Sequence, residues 1–196
     1  MREHEWDKLL KISTTGRDDS KSNEYNYPYE PTPYSVLVRL AESGYIKRKS
    51  RVIDYGCGKG RVGFFLNYQL GCRAVGVEYD ERIWQQAEMN QKSYVKRYGI
   101  SFVCEKAEDF QVEDADCFYF FNPFSVEVLR PVVGRILESF YENPRPMRLF
   151  FYYPHDDYVA YLMTMKELEF FDEIDCQDLF DGENSRERIL IFEVTG

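Results

Sequence analysis

Two stretches of the chain carry residues whose types and spacing can do chemistry. In VIDYGCGKGRVGFF, glycines alternate at Gly56, Gly58 and Gly60, and Asp54 stands just before them. Glycines where a strand turns into a helix let the backbone approach a ligand with no Cβ in the way, and the helix N-terminus that follows favours negative charge. In FYFFNPFS, a run of Phe and Tyr ends abruptly on Asn122, Pro123 and Phe124. Asn and Pro are ordinary turn formers, but an amide at a strand end can equally face a ligand. Both readings stand on the sequence alone.

The glycine stretch parses in two ways. Gly58, Gly60 and Gly63 spell G-x-G-x-x-G, with Glu78 20 residues beyond Gly58, as in a dinucleotide fingerprint for NAD or NADP. That parse leaves Gly56 and Cys57 between the strand and its first glycine, where the fingerprint wants the glycine at the strand end. Gly63 then reads as close helix packing, and Cys57 as a small residue in a tight loop. The other parse is D-x-G-x-G-x-G over Asp54, Gly56, Gly58 and Gly60. It resembles the first motif of class I S-adenosylmethionine (SAM)-dependent methyltransferases.

The resemblance implies that SAM is the cofactor. The loop of Gly56, Cys57, Gly58 and Gly60 would wrap its amino-acid part, and Asp54 would sit near its ammonium. Glu78, at the end of VGVEYD with Tyr79 beside it, would grip both ribose hydroxyls; one carboxylate can accept from two vicinal donors. In CEKAEDF the family often has Asp where Lys106 stands, so the backbone of Ala107 and the side chain of Glu108 are expected at the adenine. NPF resembles the N-P-P-[FYW] motif of methyltransferases acting on exocyclic or amide nitrogens. There the Asn oxygen and the proline carbonyl accept from the target amine while the aromatic packs on it. This chain has one proline, then Phe124. YEPTPYSVLVRL, VIDYGCGKGR, FFNPFS and the Tyr-Pro after the fifth strand together resemble a group of bacterial class I methyltransferases. The family's fold is a mostly parallel seven-stranded Rossmann-like sheet of order 3-2-1-4-5-7-6, last strand antiparallel, with helices on both faces.

The elements that must position these residues alternate along the chain. Residues 1–30 mix charge with Ser, Asn and Tyr without a clear period and read as an arm, partly ordered at best; residues 31–196 read as the domain. Thr32 can cap a helix that has Pro33 at its first position, with Val36, Leu37, Leu40 and Ala41 as its stripe and Gly44 as its stop. RVIDY, RAVGVEYD, SFVCEKA, DCFYFF and MRLFFYYP read as strands. RVGFFLNYQL, a segment from Glu81 to Tyr98, a segment after Ser125 containing Pro131, and one capped by Asp156 read as helices. FFDEIDCQDLF and RILIFEV then form an antiparallel pair. Strands alternating with helices mean an α/β sheet.

Composition narrows the function. The apolar content of 44% supports a large core, and no run approaches the ~20 apolar residues of a membrane helix. The N-terminus has no apolar signal region. Five scattered cysteines without a CxxC argue against a disulfide framework or a zinc site and fit a reducing cytoplasm. A formal charge of −9 disfavours broad binding to nucleic acid, so the unidentified methyl acceptor is expected to be a small molecule or a protein. KRKSR at 47–51 precedes the first strand, opposite the active end, and reads as a solvated loop. Tyr152, Tyr153 and His155 can border the pocket, His155 as a general base or merely as a helix-start residue. Tyr25, Tyr27, Tyr29 and Tyr34 can form a lid or pack on the core. The competing functions are an NAD(P)-dependent oxidoreductase and a non-catalytic SAM-binding or interaction module.

Overall fold

A computed structural model describes residues 1–18, 25–27, 29–96 and 98–196. Part of the N-terminal arm, including residues 19–24 and 28, lies outside the described residues. The elements are α1 (Glu3–Leu10), α2 (Tyr34–Glu42), β1 (Arg51–Tyr55), α3 (Arg61–Leu70), β2 (Arg73–Glu78), α4 (Glu81–Ser93) and β3 (Ile100–Cys104). They continue with β4 (Cys117–Phe120), α5 (Val126–Glu142), β5 (Arg148–Tyr152), α6 (Asp156–Leu162), β6 (Leu168–Asp175) and β7 (Arg188–Val194).

Seven strands form one sheet in the order β3-β2-β1-β4-β5-β7-β6. β1 to β5 pair in parallel, and β7 inserts antiparallel between β5 and β6. This is the Rossmann-like layout expected from the sequence. Strands covered on both faces read as continuous apolar runs, and β4 shows why. Cys117 and Tyr119 join the core on one face of the sheet, and Phe118 and Phe120 join the core on the other. In register at the carboxyl edge, Tyr55, Phe120 and Phe151 stack ring on ring, at 5.1 and 4.6 Å between centroids. The crevice between β1 and β4, where strand order reverses and ligands bind in such sheets, opens at this same edge.

Several boundaries differ from expectation. α4 stops at Ser93, because Tyr94 leaves the helix to bury its ring and donate its hydroxyl to the Phe64 carbonyl at 2.9 Å. Thr32 does not cap α2. Pro33 holds the cap position, and the Thr32 hydroxyl instead lies 3.0 Å from the Tyr119 hydroxyl. His155, not Asp156, stands at the N-cap of α6. Pro131 lies inside α5, which begins at Val126. Where no period is visible near the N-terminus, residues Glu3–Leu10 nevertheless form a helix, with Asp7 and Leu10 buried.

Candidate active site

The loop after β1 is built on backbone bonds to β2. Gly56 and Cys57 donate their N–H groups to the Val77 carbonyl at 2.9 and 3.1 Å. Gly56 (φ +69°) and Gly58 (φ +55°) are left-handed, and neither has room for a side chain. A Cβ on Gly56 would overlap Pro123, and one on Gly58 would overlap the Tyr29 ring. Gly60 turns the chain into α3 as its N-cap.

The loop, the end of β2 and the turns after β3 and β4 enclose a cavity of about 440 Å³. Asp54, Gly56, Cys57, Glu78, Tyr79, Ala107, Glu108, Pro123 and Phe124 all line it. Gly58, under the Tyr29 ring, and Gly60, against Phe102 and Phe64, shape the loop without lining the cavity. The Cys57 sulfur turns inward against Gly76, and burial pushes its thiol pKa up, so it is a packing group and a poor nucleophile. Gly63 packs α3 against Ala74 of β2 and does not line the cavity.

Glu78 is 6% exposed and accepts the N–H groups of Gly58 (3.0 Å) and Asp80 (2.9 Å). Asp54 is 3% exposed, and its Oδ2 is buried without a partner. Burial raises the pKa of both acids, and the Glu78 charge raises that of Asp54 further. Two desolvated carboxylates call for a cation or for hydroxyl donors. SAM would fit on these grounds: an ammonium would answer the orphaned Asp54 oxygen, a ribose diol would answer Glu78, and the bare glycine loop would leave room for an amino-acid chain. A dinucleotide pyrophosphate would instead meet two buried acids.

Asn122 stands elsewhere. Its φ is +40°, its Nδ2 donates to the Tyr153 carbonyl at 2.5 Å, and its Oδ1 accepts the His155 N–H at 3.2 Å. The Pro123 carbonyl accepts the Tyr27 N–H at 3.2 Å. Both oxygens that the resemblance assigns to a target amine therefore already hold a backbone donor. Asn122 lines a second cavity of about 580 Å³, with Tyr152, Tyr153 and His155. Tyr27, Glu30 and Phe121 line both cavities.

His155 Nδ1 lies 3.0 Å from Arg186 Nη2. Arginine only donates, so Nδ1 is the acceptor and the neutral ring carries its proton on Nε2. Burial and the adjacent guanidinium lower its pKa. With Nδ1 taken, the ring offers a donor, which counts against a general-base role.

The arm tyrosines, expected either as a lid or as packing on the core, divide between the two. Residues 25–27 run beside 123–125, through Asn26 paired with Phe124 and Ser125 N–H bonded to the Tyr25 carbonyl at 2.8 Å. Tyr25, Tyr27 and Tyr29 line the first cavity, whereas Tyr34 is a core residue whose hydroxyl donates to Asp7 at 2.6 Å. Arg61, Thr32 and Tyr119 also line the cavity and were not anticipated. Arg61 directly follows the last motif glycine, but its position alone did not mark it as a cavity residue. Lys47, Arg48 and Lys49 are exposed before β1, as expected of a solvated loop. Among the described residues there is no metal-binding cluster, and no helix is long and apolar enough to cross a membrane.

Residues 52–146 match the family model described as a methyltransferase domain. Among curated protein sequences none matches significantly. Solved structures share the fold. A TehB-like SAM-dependent methyltransferase from Corynebacterium glutamicum is 16% identical, with a TM-score of 0.59 over 82% of this chain and 88% of its own. A SAM-dependent methyltransferase from Thiobacillus denitrificans in complex with S-adenosyl-L-homocysteine is 14% identical (TM-score 0.57, 84% and 92% covered). An RNA methyltransferase from Salinibacter ruber, with the same ligand, is 19% identical (0.53, 84% and 92%). At such identities the structural likeness is one of fold, and the methyltransferase assignment rests on the family-model match over residues 52–146. Residues 52–146 thus carry a methyltransferase domain, on a fold shared with SAM-dependent methyltransferases.

Proposed function

We propose that the chain transfers the methyl group of SAM to a small planar aromatic acceptor held in the second cavity. One observation carries the reading: the two cavities share Tyr27, Glu30 and Phe121 in their linings and so are neighbours. Bound in the first cavity, SAM supplies an electrophilic methyl on a sulfonium centre. The chain's own task is then placement, since an in-line displacement needs its partners held in line and close.

Asp54 accepts from the ammonium, Glu78 from the ribose hydroxyls, and Ala107 and Glu108 flank the adenine, with Gly56, Cys57 and Tyr79 forming the surrounding wall and Gly58 and Gly60 setting the course of the loop behind it. Pro123 and Phe124 close the methyl end. Asn122 acts by tying the exit of β4 to the exit of β5, so that Tyr153 and His155 keep their places. Glu30, the one carboxylate among the described residues that lines both cavities, takes the proton the acceptor loses.

The second cavity supports an aromatic acceptor. The Phe121 and Tyr152 ring centroids lie 4.7 Å apart on one side, and Tyr27 and His155 face each other at 5.5 Å. Arg17 is the one Lys or Arg lining it among the described residues, which is far from the cationic track that a nucleic-acid backbone requires. An oxidoreductase reading lacks support, since Gly63 faces β2 rather than the cavity.

The test is thermal unfolding with S-adenosylhomocysteine, NAD and NADP in parallel, followed by SAM turnover against planar aromatic amines and phenols. At ~100 times Kd a ligand adds about 2.7 kcal/mol. A shift with the homocysteine analogue alone, then methylation of an aromatic lost in Phe121→Ala, supports the proposal. A shift with a nicotinamide cofactor alone refutes it, and methylation confined to RNA or protein refutes the acceptor class.

A further inference from the structure

We infer that Arg61 is the binding point for the α-carboxylate at the amino-acid end of the cofactor, and that helix α1 holds Arg61 in position for it. The inference rests on the first cavity being the cofactor site.

The Arg61 side chain is 3% exposed. Its Nε donates to Thr14 Oγ1 at 2.8 Å, and its Nη1 donates to the Thr32 carbonyl at 3.0 Å and pairs with Glu3. The guanidinium carbon lies 4.3 Å from the centre of the Tyr34 ring. The arrangement is fixed from behind by Asp7, which accepts the Thr14 N–H and hydroxyl, both at 2.7 Å, and the Tyr34 hydroxyl. Thr14 thus donates to Asp7 and accepts from Arg61, a chain with a single direction. Glu3 and Asp7 both lie on α1.

Against this tight hold, Nη2 is buried and has no partner. Among the described residues, buried side-chain polar atoms without partners occur on two residues lining the cavity, Asp54 and Arg61. One is a carboxylate oxygen and the other a guanidinium N–H. Leaving either unmet costs free energy, more for charged groups. An α-amino-acid zwitterion answers both, with its ammonium donating to Asp54 and its carboxylate accepting from Arg61 in a charge-assisted bond. Lys106, the other basic residue lining the cavity among the described residues, belongs to the turn after β3, at the proposed adenine end.

Calorimetric titration with three probes separates the groups. S-adenosylhomocysteine carries ammonium and carboxylate, S-adenosyl-3-thiopropylamine lacks the carboxylate, and 5′-methylthioadenosine lacks both. Arg61→Met is expected to weaken S-adenosylhomocysteine about 10- to 100-fold and to leave the other two within about twofold. Arg61→Lys, which keeps the charge should the first variant fold poorly, is expected to show a smaller loss, again confined to S-adenosylhomocysteine. An equal loss for all three probes makes Arg61 a structural tie and overturns the inference, as does no loss for S-adenosylhomocysteine. A wild-type protein that binds none of the three removes the cofactor reading itself, and the carboxylate site with it.

Discussion

Tyr29 lies across Gly58, its ring in the space a Gly58 side chain would take, while its hydroxyl donates to the Thr14 carbonyl at 2.6 Å. The arm and the glycine loop are therefore packed as one unit. Gly58→Ala must place a Cβ at φ +55° and move the ring. The expected cost is about 1–3 kcal/mol, read as a lower denaturation midpoint, together with weaker S-adenosylhomocysteine binding. Unchanged stability and affinity would show that the ring does not rest on the loop.

Glu78→Gln keeps the size of the side chain but replaces one acceptor by an NH₂ that must face a backbone N–H of Gly58 or Asp80. The carboxylate also meets the ribose in the proposed site. Affinity is expected to fall about 10- to 100-fold, and to the same degree for 5′-methylthioadenosine, because that probe retains the ribose. A loss seen with S-adenosylhomocysteine alone would move Glu78 to the amino-acid end and refute its assignment.

These residues were legible in sequence for a local reason. Asp54, the glycines and Glu78 sit at strand ends, and a run of apolar residues followed by a punctuating loop marks a strand end without any tertiary knowledge. Arg61 was adjacent to the motif yet unreadable, since its partners Glu3, Thr14 and Thr32 come from distant positions. Helix α1 was missed because its buried face is small and includes a charged residue, Asp7, so no apolar stripe exists. The overrun of α4 had the opposite cause: Tyr94 and Tyr98 continue the helical spacing, but Tyr94 reaches the core from a turn, and Tyr98 is 80% exposed. Asn122 could not be decided in sequence, because its partners, Tyr153 and His155, lie on the neighbouring strand's exit.

The raised pKa of Asp54 gives a pH signature. In the folded protein without ligand, burial and the Glu78 charge hold its pKa well above 3.8. Between 3.8 and that raised value the folded state binds a proton that the unfolded state has released, so this group's contribution to stability falls as pH rises through the window. Binding of an ammonium runs the other way, because only the ionised carboxylate attracts it. S-adenosylhomocysteine affinity is therefore expected to rise with pH across the same window, and Asp54→Asn is expected to flatten both trends. A wild-type affinity that ignores pH there would place the ammonium away from Asp54.

Asn122 separates positioning from contact. Asn tolerates its left-handed backbone better than most residues, and its amide satisfies the Tyr153 carbonyl and the His155 N–H. Asn122→Ala strains the backbone and frees both groups, for an expected cost of about 2–4 kcal/mol. Asn122→Gly removes the same bonds without the strain, for about 1–2 kcal/mol. If Asn122 positions the β5 exit, both variants lose turnover, both show faster amide exchange at residue 155, and both bind S-adenosylhomocysteine within about twofold of wild type. If turnover vanishes while amide exchange at residue 155 stays as in wild type, Asn122 touches the acceptor directly, the bond to His155 is incidental, and the target-amine role implied by the NPF turn is restored.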